Sequence, residues 1–265
     1  MVEMVSDSTV IAQLVESHER LARVLDQVGK EGLESPSACS DWTIGRTVAH
    51  IGSGAEIAQA GLAIGLAGGT SPVENAAMQA VWSAYDALDD SAATDRAMIA
   101  NQSLLDAFAA LSPTELRDVR VPFFTGPVPV SMFASFRLSE HAVHVWDVEV
   151  MNDPGAVLDP AAATTIFGSV VSALIGRLAT VSALPVELLE VVVDNPERHL
   201  GLSLADPVGV ADWSTDSSTE AVLTTTMDAF VRLVYGRLSP EHTPGSTSIV
   251  GPVSLDELRA MFKGF

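Results

Sequence analysis

The chain has 265 residues, 48% of them hydrophobic and 18% charged, which is enough for a large packed core and excludes a mainly disordered chain. Its formal net charge is −20, and Lys30 and Lys263 are the only lysines among 14 basic residues. The clustered positive surface that nucleic acid or an anionic membrane requires is therefore not expected. One cysteine, Cys39, excludes an intrachain disulfide framework and a multi-cysteine metal site, so a metal has to be held by histidine and carboxylate.

The first residues show no basic segment leading into an apolar one, so no signal peptide is read and a cytoplasmic location is expected. A helix is predicted over Thr9–Leu33, where Ile11, Leu14, Val15, Leu21, Leu25 and Val28 recur at spacings of three and four and Gly32 and Ser35-Pro36-Ser37 end the run. A second helix is predicted over Thr43–Leu66, stopping at Gly68-Gly69. Its most apolar part, Ile57–Gly68, contains Gln59 and is short of the roughly 20 residues a membrane span needs. A third helix is expected from Ser71-Pro72 to Leu111 with one break, then a loop or extended segment over Val119–Val130. Ser131 is expected to cap a fourth helix running to about Met151, terminated by Asn152-Asp153-Pro154-Gly155. That terminator marks a domain boundary, with a bundle of about four helices before it. Beyond it come a helix from Pro160 to about Val181, strands at Leu188–Val193, His199–Leu204 and Ala221–Thr226, and a helix near Met227–Leu238. That order reads as a small α+β domain.

Chemistry concentrates in the fourth helix. Glu140 and His144 stand four residues apart, so a helix projects them side by side from one face, where an oxygen and an imidazole nitrogen can meet one metal ion. His50, mid-helix among small and apolar residues, is expected to face into the bundle and supply a third ligand, as bundle metal sites draw ligands from facing helices. Read alone, the same pattern also describes a hydrogen-bonded core histidine and a surface Glu–His pair.

The segment Cys39-Ser-Asp-Trp42-Thr-Ile-Gly-Arg-Thr-Val-Ala-His50 resembles the Cys-x-x-Trp-Thr…Val-x-His signature of the mycothiol-dependent maleylpyruvate isomerase family. Glu140-His-Ala-Val-His144-Val-Trp146-Asp147 resembles its second signature, Glu-x-x-x-His-x-Trp-Asp. Val231-Arg232-Leu233-Val234-Tyr235-Gly236-Arg237 is similar to the apolar helix ending in Gly-Arg of the family's C-terminal domain, which is related in shape to sterol carrier proteins. The resemblance spans nearly the whole chain. It implies a two-domain α+β protein, with a DinB-like metal-binding four-helix bundle in residues 1–154 and a small α+β domain in residues 155–265. It further implies zinc, or another divalent ion, on His50, Glu140 and His144, mycothiol as co-substrate, and a catalytic arginine from the second domain at Arg237, with Arg232 close by as the alternative. Addition of the thiolate to a conjugated double bond, rotation and expulsion would give isomerisation; transfer of the thiol to a small electrophile, carboxylate-bearing ones included, uses the same site.

Several neighbours carry two readings each. Asp147 can orient a ligand histidine or serve packing; Arg46 and Arg137 can bind a substrate carboxylate, although Arg137 is expected rather to pair with Glu140 or acids near Glu149. Trp42 is expected as a hydrophobic anchor before the second helix, and Cys39 as a small structural residue with no histidine beside it. His141 points about 100° away from Glu140; His18, His199 and His242 receive no role. Two competing functions remain, a metal hydrolase that activates water directly and a non-enzymatic metal-binding or regulatory module.

Overall fold

The structure is a computed structural model that describes residues 6–180, 184–194, 197–214 and 217–264. The described residues divide into two compact units, one within 6–156 and one within 157–264.

In the first unit α1 (Asp7–Gly32) starts at Ser6, whose hydroxyl accepts from the Thr9 amide, and buries Val10, Leu14, Leu21 and Val24. α2 (Ile44–Leu66) starts where the Thr43 hydroxyl accepts from the Arg46 amide. The expected third helix is two helices, α3 (Asn75–Asp86) and α4 (Asp90–Ala109). The break falls where the Leu88 amide bonds back to Tyr85 and the Asp89 carboxylate caps α4 at the Ala92 amide. A short α5 (Pro113–Asp118) follows, fixed by a reciprocal capping box between Ser112 and Glu115. The segment expected as loop or extended forms a two-stranded antiparallel ribbon of β1 (Arg120–Val121) and β2 (Val128–Pro129). α6 (Val130–Glu149) leaves this ribbon directly. Pro129, held extended in β2, precedes the helix, so Ser131 lies inside the first turn and is not the cap.

Helices α1, α2, α4 and α6 form the bundle: α1 packs on α4 and α6, and α2 packs on the same two. α2 and α4 approach closely because Gly45 and Gly52 present no side chain. A Cβ at Gly45 would lie 2.4 Å from the Asp90 Cβ, and one at Gly52 would lie 2.4 Å from the Ala97 Cα.

The second unit opens with a continuous helical stretch, α7 (Pro160–Ile166), a π-turn over Phe167–Val171, and α8 (Ser172–Leu178). Val181, where the sequence suggested an end, lies outside the described residues. Pro160–Leu178, and not Ile57–Gly68, is the helix among the described residues that is long and apolar enough to cross a membrane, with a mean hydropathy of 1.5. Of its most apolar window 44% is buried, with Phe167, Val170, Val171 and Ile175 among the buried residues. The three expected strands are present as β3 (Leu188–Asp194), β4 (Arg198–Ser203) and β6 (Val222–Thr226). Two strands not foreseen, β5 (Gly209–Asp212) and β7 (Ser248–Val250), complete a sheet ordered β5-β4-β3-β6-β7, in which β3 and β6 are parallel and the other pairs antiparallel. Alternation along the strands buries Leu189, Val191, Val193, Leu200, Leu202 and Leu223. α9 (Met227–Val234) follows β6, capped by Thr226, and α10 (Leu255–Met261) closes the unit with a second capping box, Ser254 with Glu257. The layout is the two-part α+β architecture that the sequence implied.

Candidate metal centre

α2 carries His50, while α6 carries Glu140 and His144 one turn apart, and α2 packs against α6. The structure brings these three side chains together. One donor atom from each lies within 4.8 Å of the others. His50 Nε2 is 3.5 Å and His144 Nε2 3.9 Å from Glu140 Oε2, and the two rings stand edge to face at 4.8 Å. His50 does not point into the bundle interior: its side chain is 38% exposed, so the group sits at the rim, between α2 and α6.

Behind the group, Asp147 is fully buried and its Oδ2 lies 2.9 Å from His144 Nδ1. A buried carboxylate there accepts a hydrogen bond from Nδ1–H and keeps the proton on that nitrogen, which leaves the Nε2 lone pair facing His50 and Glu140. Of the two readings of Asp147, orienting the histidine is the one its bonding supports. Cys39 Sγ donates to the same Asp147 Oδ2 at 3.2 Å and lies 3.6 Å from His144 Nδ1. The expectation that Cys39 has no histidine beside it was therefore wrong. The loop before α2 is pinned to α6 by the Ala38 amide, which donates to the Asp147 carbonyl at 2.9 Å. That bond carries Cys39 to a histidine 105 residues away.

Trp42 lies against the donors, its ring 5.0 Å from that of His50 and 6.3 Å from that of His144, and it remains 38% exposed. It therefore lines the site instead of anchoring the helix. A cleft of about 350 Å³ opens from His50 between Trp42, Trp82 and Tyr85.

Both arginines near the donors are held by other partners. Arg46 lines the cleft, but its guanidinium donates to the Tyr85 and Leu88 carbonyls at 3.2 and 2.7 Å and lies 3.3 Å from Asp90. Arg137 is buried and donates to the Ile51 carbonyl at 2.5 Å and to Asn101 at 2.9 Å, while Glu149 pairs with Arg20. Gly54 leaves room for Arg137, since a Cβ there would lie 2.7 Å from its Nη1. Burial pulls the Arg137 guanidinium down to about 10, still charged at neutral pH. Burial also works against the Glu140 carboxylate, but the hydrogen bond from His50 and the charges of His144, His50 and Arg137 outweigh it and hold the group below its ordinary value. Arg137 thus acts on Glu140 through the field and not by contact.

The donor set, two imidazoles and a carboxylate with one imidazole fixed from behind, fits a divalent ion such as zinc. A second group, Cys39, His144 and Asp147, also gathers three donors. It fits a metal less well, because its atoms already satisfy one another by hydrogen bonds and Asp147 is fully buried.

His141 faces away from the group, as the helical period requires, and Ser17 holds its Nδ1 at 2.8 Å. His18 packs edge-on against it at 6.0 Å, a buried histidine pair that no spacing in the sequence revealed. His199 bonds Glu190 at 2.7 Å on the sheet of the second unit. In the same unit Arg232 is 1% exposed, held by the Asp228 carboxylate at 2.7 and 3.0 Å and by the His242 carbonyl at 2.8 Å. Arg237 follows α9, half-buried, with Nη1 on the Tyr235 carbonyl at 2.7 Å.

Residues 14–149 match the family described as the mycothiol maleylpyruvate isomerase N-terminal domain. Among solved structures, the chain is similar in fold to that of the mycothiol-dependent maleylpyruvate isomerase and to that of a histidine-to-alanine mutant of that protein. In both cases the identity is 16% and the TM-score 0.66, over 94% of this chain and 95% of the other. No curated protein matches the sequence.

Proposed function

Because the chain belongs to the mycothiol maleylpyruvate isomerase N-terminal domain family, we propose that it is a mycothiol-dependent isomerase or S-transferase that holds one zinc ion on His50, Glu140 and His144. The observation that carries the proposal is the meeting of these three donors at a half-exposed rim, with a buried carboxylate fixing the tautomer of one of them. Bound there, a divalent ion supplies positive charge that favours the deprotonated form of an incoming thiol.

The residues of the chain divide the remaining work. Asp147 holds the His144 ring in place, Arg137 and the histidines keep Glu140 ionised, and Trp42 covers one side of the donors. The nucleophile comes from outside, since Cys39 already donates to Asp147. In isomerisation the thiolate sulfur bonds to a conjugated carbon of the substrate, and the π electrons move to the carbonyl oxygen. The former double bond rotates, and the reverse electron flow expels the thiolate. The substrate class is a small electrophile bearing a carboxylate, of which maleylpyruvate is the example that the relatives' names supply. We assign recognition of its charge to Arg237 rather than Arg232, because Arg232 is fully enclosed and committed to Asp228. A cytoplasmic location accords with a free-thiol co-substrate, which needs a reducing compartment.

Calorimetric titration of mycothiol into zinc-loaded and metal-free protein tests the reading. Binding to the zinc form alone is expected; equal affinity for both, or none for either, would sink it.

A further inference from the structure

The cleft next to the donors has two tryptophans in its walls, Trp42 and Trp82, each 38% exposed. Trp42 is placed by its contact with His50. Trp82 has no comparable packing reason: it lies on α3, a helix whose one buried residue is Tyr85. An indole left open on a cleft wall offers a flat apolar face with a polar edge, which suits a ring-shaped partner that is apolar on its faces and polar around its rim.

Charge decides which ring. Of the two charged side chains on the cleft, Arg46 is held by the Tyr85 and Leu88 carbonyls and by Asp90. Asp86 leaves its carboxylate 79% exposed, 3.9 Å from Arg46. The Tyr85 hydroxyl is turned away and donates to Glu56, which Arg96 in turn holds with two bonds. The cleft therefore offers indole faces and an accepting carboxylate. That combination suits a neutral, hydroxyl-rich ring and opposes an anionic acid.

We propose that this cleft is the subsite for the sugar part of the thiol co-substrate, with Trp42 and Trp82 as stacking platforms and Asp86 accepting hydrogen bonds from ring hydroxyls. The carboxylate-bearing electrophile is excluded from it. The identity of the sugar rests on the mycothiol reading, whereas the preference for a hydroxylated ring rests on the cleft.

Calorimetry with three probes separates the two. The probes are mycothiol, its sugar portion lacking the thiol, and N-acetylcysteine, a thiol without a ring. Trp82→Ala and Asp86→Asn should each weaken mycothiol about tenfold, the loss of one good contact. Both should leave N-acetylcysteine binding and metal content unchanged, and Trp82→Phe should restore most of the affinity. The thiol-free sugar should bind wild type, with or without metal, and fail on Trp82→Ala. Sugar binding of that kind alongside metal-independent mycothiol would support the subsite while refuting the thiol chemistry. Mycothiol held as tightly by folded Trp82→Ala as by wild type, with no binding of the sugar portion, would overturn the subsite whatever the metal does.

Discussion

Removing the Asp147 side chain should cost metal affinity although Asp147 is assigned no bond to the ion. Its Oδ2 accepts hydrogen bonds from His144 Nδ1 at 2.9 Å and from the Cys39 thiol at 3.2 Å, in a fully buried position. Loss of such an outer partner lowers metal affinity by about 10- to 100-fold, which is about 1.4 to 2.7 kcal/mol. Asp147→Ala also leaves the buried His144 Nδ1–H with only the weakly accepting Cys39 sulfur at 3.6 Å, which costs up to about 1–3 kcal/mol of stability in the metal-free protein. Asp147→Asn retains a carbonyl acceptor in the same volume, so its affinity should fall by no more than about tenfold. Competition against a chromophoric chelator measures affinity, and melting of the metal-free variants measures the folding loss separately. A folded Asp147→Ala protein that binds metal within about twofold of wild type would show that the carboxylate does not orient the ligand.

The other expectations concern the metal, the second unit and acidity. His50→Ala should abolish stoichiometric zinc while Cys39→Ser, whose hydroxyl can still donate to Asp147, should retain it; the opposite pattern would place the metal on Cys39, His144 and Asp147 instead. Arg232→Ala strands the buried Asp228 carboxylate and should destabilise the second unit by about 3–5 kcal/mol, whereas Arg237→Ala should reduce turnover and leave melting and zinc content close to wild type. Burial holds His141 well below 6.5 and lowers His18 as well, so below that value the unfolded chain binds protons that the folded one does not. Stability should therefore be fully present above pH 6.5 and fall with acidification, by up to about 1.4 kcal/mol per pH unit for His141 alone. Denaturant titrations of metal-free protein near pH 7.5 and pH 5.5 check this, and a His141→Gln variant with an unreduced slope would contradict it.

The pairing of Glu140 and His144 was legible in the sequence because a helix converts a spacing of four into adjacency. The layer behind them was not legible. Asp147 was visible as one helical step from His144, but Cys39 reaches it across 108 residues through a loop fixed by backbone hydrogen bonds. The partners of Arg46 and Arg137 were not legible for a related reason. Sequence distance to a ligand does not say what will capture a guanidinium, and here carbonyls on α2 and around the α3–α4 turn did so. In the second unit the strands with regular apolar alternation were foreseen. β5 and β7, four and three residues long with no fully buried position, carry no such pattern.

The glycine seam between α2 and α4 bears on the site from the other side of a helix. Gly52 follows His50 by two residues, about 200° around α2. It looks toward α4 while His50 looks toward α6, and there is no space at it, with the Ala97 backbone 2.4 Å from where a Cβ would sit. One added methyl group has to push α2 away from α4, and the imidazole rides on the same rigid rod while Glu140 and His144 stay with theirs. The spacing of the three donor side chains is thus gauged by a residue with no side chain, on the far face from all of them. Randomising the cleft alone would never sample it.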